Sequence, residues 1–403
     1  MNGPLEGLKV LDISNVIAGP FAAALLGDFG AEVLKVELPM GADGKGGDPL
    51  RALPPHKEGK PLLWKAVNRN KQAITLDLRK PEGQALFCRL LPRFDVLIEN
   101  YRPGTLDRWN LAKERLWQLQ PKLVILRVTG FGQTGPYRNY AGFARLFEAY
   151  AGLTYITRAP GEPPMHPGYP IGDPIGGVFG AFGVLAALLH RARHPDAPGQ
   201  EIDLSCTEAM MRLLEVLPIE HDQLGQLHEP VGNGNAYVAP GGMFRSADGA
   251  WLSFTAATQN VFERFCRLIG RDDLITDPRY ASNPLRMQHV AALNAIVAEW
   301  IGARPCGEAI RELSQAGVSV APVYSNRDIA ADPHVLARES ITRVTDADFG
   351  SVAVPCVVPR LSATPGEARS AGPAAGAHNA EIYGGWLGLS DSDQAKLRSG
   401  GII

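Results

Sequence analysis

Cysteine is scarce and scattered in this sequence: five residues (Cys88, Cys206, Cys266, Cys306, Cys356) among 403, odd in number and without a C-x-x-C pair. That excludes a disulfide framework and a cysteine-built zinc site, and it points to a reducing compartment. The nine histidines form no H-E-x-x-H or similar spacing, so no metal ligation is expected. A G-x-S-x-G nucleophile elbow and a P-loop are both missing, and with them the chemistry those motifs carry.

An excess of charge is also missing. Forty Lys and Arg face 42 Asp and Glu, a net −2, so nothing draws the chain as a whole to nucleic acid or anionic lipid. Any anionic ligand must be held by local arrangement. The start, MNGPLEGLKVLDIS, has neither the basic opening nor the apolar stretch of a signal peptide. The longest apolar run, Ile175 to Leu189, carries four glycines and falls short of the roughly 18 residues of a membrane span. These features predict a cytoplasmic protein that engages no membrane, with that run as a buried helix.

With 45% apolar and 20% charged residues, the composition is that of a globular enzyme, and 403 residues exceed what one core usually serves. Two domains are expected. The first half alternates strand-like and helix-like segments: Leu8–Ile13, then helix Pro20–Asp28 stopped by Gly30, then strand Glu32–Glu37. Further strands are predicted at Ala73–Leu76, Val96–Glu99, Leu123–Val128 and Glu201–Leu204, with helices Pro81–Leu91 and Lys113–Gln118 between some of them. Such alternation predicts an α/β fold with a mainly parallel sheet covered on both faces. Asp173-Pro174 opens a long helix to about Arg193, and Thr207–Leu224 reads as another. The glycine- and asparagine-rich VGNGNAYVAPGG (Val231–Gly242) suggests a mobile loop or a crossing between domains. Beyond it, RSADG punctuates a hairpin over Met243–Phe254, helices follow around Gln259–Ile269 and Arg286–Ile301, and the tail holds a strand Ser351–Val358 and a helix Ser390–Arg398.

Two motifs bear on function. Gly130–Gly135, G-F-G-Q-T-G, matches the dinucleotide fingerprint G-x-G-x-x-G after a strand. The fingerprint needs its last glycine on a helix whose N-terminus meets the pyrophosphate, whereas Pro136 and an irregular PYRNYAG follow here. An NAD site is therefore not expected. Asp173 before Pro174 reads as a helix N-cap, and the helix N-terminus would also keep its carboxylate ionised, as a carboxylate nucleophile requires.

Several longer segments carry a resemblance. They are PLEGLKVLDISNVIAGPFAAALLGDFGAEVLKVE, NRNKQAITLDLRKPEG, DVLIENYRPGTLDRW, VTGFGQTGPY, GQEIDLS, DPRYASNPLRMQH, GVSVAPVYS and the closing LRSGGII. Together they make the sequence similar, end to end, to the class III CoA-transferases of the CaiB/BaiF type, a family that also contains the α-methylacyl-CoA racemases. The resemblance implies a Rossmann-like large domain built from residues 1–225 and a return segment 326–403. A smaller α+β domain would span 226–325, and two chains would intertwine as a homodimer. It also implies an enzyme for which coenzyme A is substrate and product, with no metal and no permanently bound cofactor.

Carried over position by position, the family's catalytic aspartate falls on Asp173, in GYPIGDPIGG. Backbone contacts to the adenine fall on Val16 and Ala18, with Ile17 between them, and Leu76, Arg79, Asn100, Tyr101 and Arg108 would line the pantetheine and phosphate path. Two positions depart from formyl-CoA transferase: an arginine after KVE is Leu38 here, and a lysine near Gly142 has no counterpart. Arg102 and Arg138 are candidates to take over those phosphate contacts.

Racemases of the family pair the aspartate with a histidine in an A-G-H-D segment, so that two bases flank the α-carbon. This sequence has AGFARLF, with Phe143 at the histidine position. Phenylalanine accepts no proton, so transfer of CoA between an acyl-CoA and a small free carboxylic acid is expected rather than racemisation. A non-catalytic CoA-binding scaffold is the third alternative, and Asp173 argues against it. The cationic residues Arg145 and His166 lean the acceptor towards a short polar acid, a dicarboxylate with succinyl-CoA as donor.

Overall fold

The computed structural model describes residues 3–41 and 45–403. It divides into two compact units, one of Met1–Thr154, His166–Leu224 and Ala337–Ile403, the other of Tyr155–Met165 and Gly225–Leu336.

The larger unit is built on six strands: β1 (Lys9–Asp12), β2 (Glu32–Glu37), β3 (Lys71–Thr75), β4 (Val96–Glu99), β5 (Val124–Thr129) and β6 (Glu201–Ser205). Their order is β3-β2-β1-β4-β5-β6, and every pairing is parallel. Parallel strands need crossovers, which helices supply, and both faces are then covered. Strand alternation assigns the side chains to those faces. Leu11, Leu34, Leu97 and Ile125 lie in register and meet Leu86, Phe87 and Leu90 of α2 (Pro81–Leu90), with Ile382, Tyr383, Ile402 and Ile403 from the chain's end. Val10, Val33, Val96 and Val124 face the other way, onto α1 (Ala18–Asp28) and α5 (Gly172–Arg193). Between α2 and α5 in the chain come α3 (Lys113–Leu119) and α4 (Ala144–Tyr150).

Helices α1 and α5 touch through small residues. A Cβ added to Gly177 would stand 2.8 Å from the Ala18 carbonyl oxygen, and one on Gly180 would meet the Leu126 side chain at 3.0 Å. The glycines of the long apolar run are therefore a contact surface for α1 and the sheet. The expectation that this run is wholly buried needs correction. Val178, Phe182, Leu185 and Leu189, spaced for one helical face, are 40–69% exposed. Thr207–Leu224, expected as one helix, is two: Cys206–Leu213 and Val216–Leu224. Pro218 explains the break, since a continuous helix would ask it to donate an N–H it lacks, while a place in a first turn asks nothing of it.

The smaller unit carries a three-stranded antiparallel sheet, β7 (Gly241–Arg245), β8 (Trp251–Thr255) and β9 (Ser319–Pro322), in the order β9-β8-β7. Its core joins Phe244, Leu252 and Phe254 of the sheet to Phe262 and Phe265 of helix Gln259–Leu268, and to Leu293, Val297 and Ile301 of helix Val290–Gly302. The larger unit also contains a hairpin, Ile341–Asp346 with Gly350–Pro355, of which only the second strand was expected. The architecture is the anticipated mixed α/β fold with a mainly parallel sheet.

Candidate active site

In the order β3-β2-β1-β4-β5-β6 the chain moves outward from β1 in one direction and then returns to continue from β4 in the other. Ligands of such sheets gather in the crevice beyond the carboxyl ends of the two strands at this reversal. Here those ends are bridged by a reciprocal pair: Asn15 N–H donates to Asn100 Oδ1 and Asn100 Nδ2 donates to the Asn15 carbonyl, each at 2.7 Å. Around them lies a cavity of about 260 Å³, lined by Asn15–Ala18, Asn100–Pro103, Val128–Gly130, Tyr140–Phe143, Asp173 and Cys206 among others.

Asp173 reaches the cavity from the start of α5. It is not the N-cap: the helix begins at Gly172, Ile171 holds the cap position, and no side chain of the segment caps it. The orphan N–H groups are met from another element. Glu148 of α4 accepts the Ile171 N–H at 2.7 Å and the Gly172 N–H at 3.2 Å through Oε1. The sequence reading missed Glu148, because 23 residues separate it from Ile171 and no local pattern joins them. Gly172 makes the approach possible, since a Cβ there would lie 2.7 Å from the Ala144 carbonyl oxygen.

Glu148 is fully buried, and among the described residues its Oε2 has no hydrogen-bond partner. The His166 Nδ1 lies 3.6 Å from that oxygen and an Arg145 guanidinium nitrogen 3.7 Å. Arg145 also donates to the Pro167 carbonyl. Both side chains thus stand against Glu148, beside the start of α5. Burial, and then the Glu148 carboxylate, push the Asp173 carboxyl up to about 6, with the Ala144 N–H pulling the other way. The helix N-terminus was expected to hold it low; burial outweighs that, and the group is still mostly ionised at pH 7. Asp173 and burial together raise the neighbouring Cys206 thiol beyond its usual range, burial being the larger cause.

Of the residues proposed for coenzyme A, Val16, Ile17, Ala18, Asn100 and Tyr101 line this cavity, as do Arg102 and Arg138. Leu76 and Arg79 line a second one of about 190 Å³, with Leu38, Gly47 and Trp109, and it shares Asn15 and Tyr101 with the first. Arg79 is held by Asp77 through two bonds of 2.8 Å. Arg108 lines neither; it is exposed and donates to Thr105 Oγ1. Phe143 lines the cavity and is 64% exposed.

The G-F-G-Q-T-G segment turns rather than opening a helix. Gly132 and Gly135 have φ of +83° and +81°, Thr129 Oγ1 accepts the Gly132 N–H, and Asp203 accepts the Gln133 N–H. The next helix begins only at Ala144. Gly130 and Gly142 leave room for the Phe147 ring, which a Cβ at either would meet within 2.6 Å.

The strand order is that of the doubly wound Rossmann arrangement, with an acidic residue at a helix N-terminus in its crevice. The model of CoA-transferase family III matches residues 5–379, and the chain belongs to that family of enzymes. It is 42% identical over 401 residues to a succinyl-CoA–D-citramalate CoA-transferase of Chloroflexus aurantiacus, covering 99% of this chain and 98% of that one. A succinate–glutarate CoA-transferase of Agrobacterium fabrum is 32% identical, with 94% of each covered. Among solved structures, a CAIB/BAIF family protein from Brucella suis superposes with a TM-score of 0.82 at 30% identity, over 96% of this chain and all of that one.

Proposed function

We propose that this CoA-transferase moves coenzyme A from succinyl-CoA to a short dicarboxylic acid, with Asp173 as the nucleophile. The observation that carries the reading is Asp173 itself: a buried carboxylate of raised basicity, at a helix start, in the crevice between β1 and β4, with Phe143 where a second base would stand. The relatives named for D-citramalate and glutarate support the acceptor class, and Arg145 supplies positive charge next to Asp173's helix, with the His166 imidazole beside it.

In this mechanism an Asp173 oxygen attacks the thioester carbon of the donor, the C–S bond breaks, and an acyl-aspartyl anhydride and CoA thiolate result. The thiolate attacks the aspartyl carbonyl, giving an aspartyl-CoA thioester and releasing the donor acid. The acceptor carboxylate then attacks that thioester carbon and expels the thiolate, which takes the acceptor acyl group from the new anhydride and returns Asp173. No net proton moves, so no general base is needed, and each exchange is an acyl transfer of modest barrier. Burial strips water from the attacking carboxylate and makes it more basic, which suits it to attack. The path of coenzyme A runs past Asn15–Ala18 and Asn100–Tyr101, with Arg102, Arg138 and Arg79 as cations for its phosphates. Arg108 is part of that path only through rearrangement of its exposed side chain.

The enzyme acts as a homodimer in the reducing cytoplasm. The exposed apolar face of α5 and the five free cysteines support these two points. The test is an exchange screen with succinyl-CoA or acetyl-CoA and a panel of carboxylic acids, read by mass spectrometry, with Asp173→Asn alongside. New dicarboxylyl-CoA species that vanish in the variant are expected. Deuterium entering the α-position of a 2-methylacyl-CoA without any acceptor acid would instead make the protein a racemase.

A further inference from the structure

The turn from β1 into α1 contains a conformation its sequence resists. Val16 has φ of +65°, and among the described residues it is the one β-branched side chain at positive φ. Left-handed backbone is costly for such a residue, and strain of this kind persists where the surroundings impose it.

The imposing group is Asp48. The Val16 N–H donates to its two carboxylate oxygens at 3.0 and 3.2 Å, and Oδ1 also accepts the Leu50 N–H at 2.8 Å. Lys35 lies 3.2 Å from Oδ2, and neither side chain is exposed to water. Lys35 in turn donates to the Ser14 carbonyl, and Asp12 accepts the Ser14 N–H at 3.0 Å and the Lys71 ammonium at 2.9 Å. Two residues earlier and one residue earlier than Val16, the backbone is thus also held, the latter by Asn100. Burying these charges is expensive, and the arrangement is concentrated under one turn of the crevice. Asp48 lines neither cavity, so it acts through Val16.

We propose that Asp48 is a positioning residue for coenzyme A: it holds Val16 left-handed so that the Asn15–Ala18 backbone has its ligand-binding shape before the ligand arrives. The inference rests on the reading that this backbone meets the nucleotide end of coenzyme A. Binding then meets no cost of reshaping the turn, which is how preorganisation raises affinity.

Calorimetric titration with free coenzyme A and steady-state exchange kinetics test it. Wild-type binding is measured first: its absence overturns the coenzyme A reading and this proposal with it, whereas wild-type binding that Asp48→Ala leaves unchanged overturns this proposal alone. Asp48→Ala should weaken coenzyme A binding and raise the acyl-CoA KM by about 5- to 30-fold, the factor attached to one strained residue, with kcat within about twofold. Glycine adopts positive φ without that strain, so adding Val16→Gly to Asp48→Ala should recover at least about threefold of the loss. Unchanged affinity in Asp48→Ala, a fall in kcat at constant KM, or no recovery in the double variant would each overturn the proposal. Hydrogen exchange on the wild-type protein gives an answer even where Asp48→Ala does not fold. The Val16 amide should be protected in the free protein and little changed by coenzyme A; free exchange that slows only on binding refutes the clamp.

Discussion

Replacing Asp173, the proposed nucleophile, should make this protein more stable, by an amount that depends on pH. Folding raises the Asp173 carboxyl from its ordinary 3.8 to about 6, first through burial and then through Glu148. Below 3.8 the group is protonated in both folded and unfolded chains and costs nothing. Between 3.8 and 6 the unfolded chain loses its proton first, so stability falls as pH rises, and above 6 the loss is complete. At 1.36 kcal/mol per pH unit the full loss is about 3 kcal/mol, and at pH 4 it is only about 0.5 kcal/mol. Asparagine keeps an oxygen for the Ala144 N–H but carries no charge. Asp173→Asn should therefore gain about 3 kcal/mol over wild type at pH 8, almost nothing at pH 4, and have no exchange activity at either. Urea unfolding of both proteins at the two pH values, followed by circular dichroism, measures the difference. A gain of equal size at both pH values, or none at pH 8, would show that burial and Glu148 do not set the basicity of Asp173.

Other perturbations probe the surroundings of that carboxylate. Glu148→Gln retains an acceptor oxygen for Ile171 and Gly172 but removes the neighbouring negative charge, so the acid limb of the exchange rate, expected near pH 6, should move to lower pH in a pH–rate profile. Gly177→Ala places a methyl 2.8 Å from the Ala18 carbonyl; forcing α1 and α5 apart should cost about 1–3 kcal/mol in urea unfolding, more than the helix propensity gained. If the exposed apolar face of α5 is the interface of the proposed homodimer, Phe182→Asp puts a charge in it and should leave one 43.3 kDa chain in light scattering where the wild type gives two.

The sheet was readable because its strands are short apolar runs between clear stops: Glu32–Glu37 and Val96–Glu99 have the bounds predicted, and the other four strands lie within two residues of theirs. The resemblance of whole segments supplied the family. Less legible was anything held by partners distant in the chain. Asp173 before Pro174 has the local look of an N-cap, yet Glu148 performs that task from another helix. Asp48 under Val16 and Asn100 against Asn15 are contacts across 32 and 85 residues, invisible to a reading of local pattern. The apolar run at Ile175–Leu189 misled for a different reason: apolar composition says that a face is to be covered, not that this chain alone covers it.

The cap that Glu148 lends to α5 ties the proposed nucleophile to the wall of the crevice. Its helix, α4, starts just after Phe143 and also carries Arg145, so the wall of the crevice and the start of α5 share one short helical piece. A graft of residues 143–150 from a relative with another acceptor would therefore transplant the tuning of Asp173 together with any new selectivity. Engineers who want the second without the first must leave position 148 untouched.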